Sequence, residues 1–258
     1  MIGKLGFALR QKIEKVFYGA GFFLHVLKDT ALLFKNRQVG YKVLTMQILF
    51  TGFEALGIIT ILAVSLGAVI IIQGLTLLPQ FGQGSLIYSI LITVITRELG
   101  PVLTAFIIIA RSGTAIATEM GNMVVNHEIE AYISVGINPI SYLVVPRFLG
   151  VVISMVILNM YFNIFGLLGS FLITQLVKPI SFAEYSMGIV SALKITDILA
   201  SFIKSILFGT IISVVSTYQA FQVDRASTEI PQRVIKAVGQ SVILCILADA
   251  VVTLIYYI

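Results

Sequence analysis

The sequence predicts an all-α integral membrane protein, with an N-terminal interfacial amphipathic helix, five transmembrane helices and a short cytoplasmic helix between the second and third spans. Three observations predict it. Of 258 residues, 58% are apolar and only 11% are charged, with a mean hydropathy of +1.03, whereas soluble domains carry roughly 25% charged residues. The apolar residues collect into runs long enough to cross a hydrocarbon core about 30 Å thick. The basic residues are concentrated in alternate connections. A soluble globular protein is excluded, and so is a disordered one, which would be poor in apolar residues and rich in charge. The one cysteine, Cys245, lies in an apolar run and permits no intrachain disulfide. The net charge of +5 follows membrane orientation by its placement rather than nucleic-acid binding.

The first 43 residues hold eight of the seventeen basic residues, without the clean apolar core of a signal peptide. Leu5, Leu9, Ile13, Val16, Ala20, Phe23 and Leu27 recur at steps of 3 and 4, opposite Lys4, Gln11 and Lys15. That pattern describes a helix lying on the membrane surface, or one packed on the protein's own core. Apolar runs then predict spans near 56–78, 86–118, 148–176, 198–218 and 239–258. In the second, Arg97-Glu98-Leu99-Gly100-Pro101 separates two halves each too short to cross alone. One long helix kinked at Pro101 is expected, or a re-entrant pair of half-helices. The N-terminal segment and the 111–147 and 219–238 connections carry thirteen Lys and Arg against two in the 79–85 and 177–197 connections. This places the N-terminus in the cytoplasm and Ile258 on the far side. No repeat or separable soluble domain is visible, so residues 1–258 read as a single membrane domain.

Between the second and third spans, Glu119-Met120-Gly121 leads into a helix-like stretch, Val124 to Val135, with Glu128 and Glu130; Gly136-Ile137-Asn138-Pro139 stops it. A short acidic helix with glycine hinges on either side suits docking on a cytoplasmic partner, or is an ordinary solvated loop helix.

Catalytic motifs are missing. No phosphate-binding loop, His-Glu-x-x-His or Gly-x-Ser-x-Gly occurs, and His25 and His127 lie outside the spans. The chain is therefore not expected to be an enzyme; another chain's ATP chemistry or an ion gradient must drive any work. Ionisable groups inside spans cost about 2.5 to 3.5 kcal/mol each on insertion scales, which makes each a candidate site. Arg97, Glu98, Lys204 and Asp249 qualify. Counting along the helices from their cytoplasmic ends puts Lys204 roughly 21 Å and Asp249 roughly 15 Å along, so these two can pair. The four read either as ion pairs locking helix to helix or as a polar pocket for a charged headgroup. Asn159, Asn163, Gly166, Ser170 and Thr174 form one helical stripe, and Asp197, Ser201, Lys204 and Ser205 another. Such small and amide residues read first as helix-packing faces, as do Gly67 and Gly74.

Arg97-Glu98-Leu99-Gly100-Pro101-Val102-Leu103-Thr104, Ala110-Arg111-Ser112-Gly113, Glu119-Met120-Gly121, Gly136-Ile137-Asn138-Pro139 and Tyr142-Leu143-Val144-Val145-Pro146-Arg147 closely resemble the MlaE family of permeases, over essentially the whole chain. The resemblance implies the membrane subunit of an ABC transporter that moves phospholipids between the inner and outer membranes of a Gram-negative cell and so maintains outer-membrane lipid asymmetry. It implies a homodimer working with a cytoplasmic ATPase (MlaF), a STAS-domain subunit (MlaB) and a periplasmic hexamer of MCE-domain subunits (MlaD). ATP and Mg would be bound by the ATPase, with no cofactor or metal in this chain. By the same resemblance Arg97 and Glu98 face the lipid cavity, Asp249 matches an acidic position of the last span, and Glu119 to Gly136 forms the coupling helix seated on the ATPase, with Glu119, Glu128, Ile129 and Glu130 as its contacts. Lys204 joins the substrate-binding set through its expected pairing with Asp249. Two stretches depart from the family pattern: Asn126-His127-Glu128-Ile129-Glu130 replaces Thr-Glu-Gln-Ile-Asp, and Phe221 to Arg233 lacks the family's glycines. The rival expectations are an ion-driven secondary transporter using Glu98, Lys204 and Asp249 as a proton relay, and a passive scaffold for a periplasmic ring.

Overall fold

A computed structural model describes residues 17–31, 41–81, 86–224 and 226–258, and the described residues contain helices and no strand. Five helical segments are long and apolar enough to cross a membrane: Val43–Gln80, Ile87–Val125, Ile140–Val177, Ile195–Phe221 and Ser227–Tyr257. The first contains α2 (Tyr41–Gly52) and α3 (Leu56–Leu77), joined by a 3₁₀ turn at Phe53–Ala55. The second runs through α4 (Ile87–Ile92), α5 (Gly100–Ile108) and α6 (Thr114–Val125), with π-helical turns at Thr93–Leu99 and Ile109–Gly113 between them. After α7 (Glu128–Ser134), the third span is a π-helical turn followed by α8 (Val145–Val177); α9 (Phe182–Ala192) separates it from α10 (Ile195–Phe221), and α11 (Ile230–Tyr257) ends the fold. The helix formed by residues 17–31 is α1.

Four of the five spans begin earlier than the apolar runs, because a scan for apolar residues stops at a charge, whereas a helix does not. Glu54 broke the first run, yet its carboxylate pairs with Arg111 at 2.6 Å, and Arg111 also donates to the Glu54 carbonyl. Arg233 and Lys236 broke the fifth, although α11 continues through both.

The third span is the centre of the packing, with α2, α3, α5 and α10 all laid against it. Close approach to α3 is set by glycine. At Gly67 a Cβ atom would run into the Gly166 carbonyl and come within 3.1 Å of the Ser170 nitrogen. In lipid, where no water drives helices together, such backbone proximity supplies the packing energy. Gly67→Ala is therefore expected to destabilise the protein by about 1–3 kcal/mol, read as a lower thermal midpoint in detergent. Gly57→Ala on the same helix, where the new methyl meets nothing within 4 Å, will leave that midpoint unchanged or raise it.

The described part of the N-terminal amphipathic helix packs one face on the protein itself. Phe22 meets the rings of Tyr218 and Phe221, and Val26 is fully buried. Asp29 accepts hydrogen bonds from Asn138 and Ser141. Phe17, Tyr18 and Leu24 are exposed on α1; Leu5, Leu9, Ile13 and Val16 lie outside the described residues. The expected glycine hinge at Gly121 is corrected. That residue is buried inside α6 against Val223 and Ile230, and the break falls at His127, which takes a left-handed conformation with φ 58°. The 177–197 connection contains a helix of its own, α9, capped by Ser181, whose side chain accepts from the Glu184 N–H at 3.1 Å, the capping signal Ser-x-x-Glu.

Candidate functional site

Pro101 has no N–H to give the carbonyl four residues back, that of Arg97. The preceding turn widens instead: the Gly100 N–H bonds to Ile95, five residues back. Lys204 from α10 donates to the freed Arg97 carbonyl at 3.2 Å. π-helical turns inside α-helices recur at functional sites, and this one carries Arg97 and Glu98.

From that turn a chain of five charges links the second, fourth and fifth spans. The Lys204 ammonium, fully buried, donates to Glu98 Oε2 at 2.6 Å and to Thr253 Oγ1 at 2.9 Å, and lies 2.8 Å from Asp249 Oδ1. Thr253 in turn donates to Glu98 at 3.1 Å. Arg97 Nε donates to Glu98 Oε1 at 3.0 Å, its Nη2 donates to the Tyr257 hydroxyl at 2.5 Å, and Nη1 lies 3.5 Å from Asp197. The rings of Tyr256 and Tyr257 flank the guanidinium at 4.6 and 5.1 Å, a cation–π contact on each. Tyr256 also donates to Asp197 at 2.9 Å.

Three carboxylates thus face two cations, a formal excess of one negative charge. Exposure is unequal. The Arg97 and Lys204 side chains are 8% and 0% exposed, those of Glu98 and Asp249 26% and 22%. A ligand entering from outside meets carboxylates first. Asp197 opens α10 and Tyr257 closes α11, so the cluster lies toward the end of the bundle opposite α7, and Lys204 sits about 14 Å along α10 from its start.

The four intramembrane charges singled out in the sequence are therefore brought together, including the expected Lys204–Asp249 pair. Asp197 had been noticed only as part of a packing stripe. Thr253, Tyr256 and Tyr257 were missed, although their steps of 4, 7 and 8 from Asp249 place them on its face of the helix. The Asn159 stripe packs: its Nδ2 donates to Ser201 and Ser205, both at 2.8 Å. The Asn159 and Asn163 carbonyl oxygens lie against Gly100, where a Cβ would come within 3.2 and 2.9 Å of them.

At the opposite end, α7 carries Glu128, Ile129 and Glu130 and is bounded by His127 and by Gly136 at φ 78°. It has no buried residue; Ile133 on it and Val135 just after it are exposed. His127 Nδ1 lies 2.9 Å from Glu130. Glu119 is not on this helix. It belongs to α6 and pairs with the buried Arg147 of α8 at 2.7 Å, while Arg147 also donates to the Leu143 carbonyl. The two sets of acidic residues are thus physically separate. Among the described residues no group of His, Cys, Asp and Glu could hold a metal ion.

Residues 44–255 match the family described as Permease MlaE. The chain is 31% identical over 206 residues to a probable ABC transporter permease protein of Synechocystis, covering 80% of this chain and 75% of that one. It is 29% identical over 207 residues to a probable ABC transporter permease protein of Rickettsia typhi, covering 80% of each. Against the intermembrane phospholipid transport system permease protein MlaE of Haemophilus influenzae it is 25% identical over 218 residues, 84% of each chain.

Proposed function

The chain belongs to the MlaE permease family, and from that premise we propose that it is the membrane subunit of a complex that moves phospholipids between the inner and outer membranes and maintains outer-membrane lipid asymmetry. It is an ABC transporter permease, whose nucleotide chemistry belongs to a partner ATPase. In the proposed complex it works as a homodimer in the bacterial inner membrane, N-terminus cytoplasmic and C-terminus periplasmic, with MlaF, MlaB and a hexamer of MlaD.

The observation that carries the reading is the charge cluster of Arg97, Glu98, Lys204 and Asp249, partly open at one end of an otherwise apolar bundle. A zwitterionic headgroup suits it. Its ammonium meets the reachable carboxylates of Glu98 and Asp249, its phosphate is drawn to the cations behind them, and its tails rest on the apolar faces of the spans. Glu98→Gln, which keeps the shape and removes one negative charge, is expected to lower transfer of labelled phosphatidylethanolamine between vesicles by the reconstituted complex by roughly tenfold. Unchanged transfer would exclude a headgroup role for Glu98, and transfer by the lone chain under a pH gradient without nucleotide would favour the ion-driven alternative.

At the other end, α7 docks on the ATPase through Glu128, Ile129 and Glu130, and Glu119 fixes the base of the second span to Arg147 so that movement of α7 reaches the bundle. Glu128→Lys with Glu130→Lys is expected to release the ATPase or uncouple its turnover from lipid transfer. Co-purification and ATPase assays check this, and a stable, fully coupled complex would count against the docking role.

A further inference from the structure

A second polar site lies near the opposite end of the bundle from the charge cluster. Met46, Gln47, Phe50 and Thr51 on α2 face Ser112 of the π-helical turn at Ile109–Gly113 and Ala115, Ile116 and Glu119 on α6, across a cavity of about 310 Å³. The spacing is helical on both walls, at steps of 1, 3 and 1 on the first and 3, 1 and 3 on the second, so each wall is one face of its helix. Thr51 and Ser112 are 3% and 4% exposed. Among the described residues neither hydroxyl has a hydrogen-bond partner, and both oxygens remain open to the cavity rather than sealed from it. Two unpaired hydroxyls and an amide therefore line a cavity whose outer rim, Met46 and Phe50, is apolar and exposed. Glu119 stands on the same wall, with Oε1 engaged by Arg147 and the side chain largely exposed.

We infer that this cavity is a second lipid station, holding the headgroup of a phosphoethanolamine-type phospholipid from the leaflet next to α7. The volume equals roughly ten waters, enough for a headgroup and too small for a whole phospholipid, so the tails leave past Met46 and Phe50 into the bilayer. Thr51, Ser112 and Gln47 donate to the phosphate oxygens. The ammonium is accepted by Glu119, whose charge is partly balanced by Arg147. A site without an unpaired cation prefers a zwitterionic headgroup to an anionic one. The station is separate from the Arg97 cluster and does not depend on the role proposed for it.

The test places benzoylphenylalanine at Met46 in the full chain, reconstituted in nanodiscs of phosphatidylethanolamine and phosphatidylglycerol in equal amounts, and identifies the photo-adduct by mass. The expected product is a phosphatidylethanolamine adduct. Its yield should fall roughly tenfold in a Thr51→Val, Ser112→Ala double variant, the loss of two modest hydrogen bonds. The adduct should persist in Arg97→Lys, which separates this site from the charge cluster. Equal labelling of the two lipids, a yield indifferent to the two hydroxyls, or an adduct with a second protein chain in place of lipid would overturn the inference. Thermal melting of the double variant alongside the parent shows whether it is folded, since both substitutions are near-isosteric.

Discussion

Replacing Lys204 with methionine will leave Glu98 and Asp249 side by side with their shared cation gone, and the protein will lose about 3–5 kcal/mol of stability, the usual cost of stranding one side of a buried ion pair. Lys204 touches Glu98, Asp249, Thr253 and the Arg97 carbonyl together, so its removal loosens three spans at once. The measurement is the thermal midpoint of the purified protein in detergent. A companion variant, Lys204→Met with Glu98→Gln and Asp249→Asn, removes the stranded charges and should recover most of that midpoint, because the large cost comes from leaving a buried charge uncompensated rather than from losing the pair as a whole. The companion also separates the two readings of the cluster. If the charges only clasp helices, the triple variant will transport lipid as well as it folds. If they handle headgroups, it will fold and fail to transport.

The second large effect is expected at Arg97. Arg97→Ala should reduce lipid transfer by the reconstituted complex at least roughly tenfold while leaving complex assembly and basal ATP hydrolysis largely intact. Arg97→Lys keeps the charge but not the planar fork that reaches Glu98, Tyr257 and Asp197 together and packs on the two tyrosine rings. It should therefore retain assembly and show an intermediate transfer rate. Parent-like transfer in both variants would remove Arg97 from the transport path and leave it a structural role.

Much of the fold was legible because lipid is a strict solvent. Every backbone polar group must be satisfied within its own helix, so long apolar runs translate directly into helices, and a charge placed among them has few places to go. Lys204 and Asp249 could be matched by counting residues alone. The extent of the first and fifth spans was not legible in the same way. The pairing of Glu54 with Arg111 is a contact across 57 residues that no local window reports. The hinge beside α7 was assigned to Gly121 on composition, whereas tertiary packing holds that glycine inside a helix and puts the left-handed turn on His127. Nothing local distinguishes Tyr256 and Tyr257 from the aromatic residues that commonly sit near span ends. Only the folded arrangement brings them around Arg97.

The fifth span, α11, is attached differently from the others. Only 11% of its most apolar window is buried, and the residues it does bury, Ile230, Ala237, Ser241 and Cys245, are mostly small. Besides its packing on α10 and α6, polar links hold it: Gln240 to Gln219 toward one end, and Asp249, Thr253 and Tyr257 to Lys204, Glu98 and Arg97 toward the other. A helix seated in a deep apolar groove resists displacement along its whole length, since every small shift opens voids. The fifth span, held by small residues and polar links and facing outward along most of its apolar window, interlocks with fewer side chains than the third, so breaking a few polar contacts frees more of it than the same loss would free at the centre of the bundle.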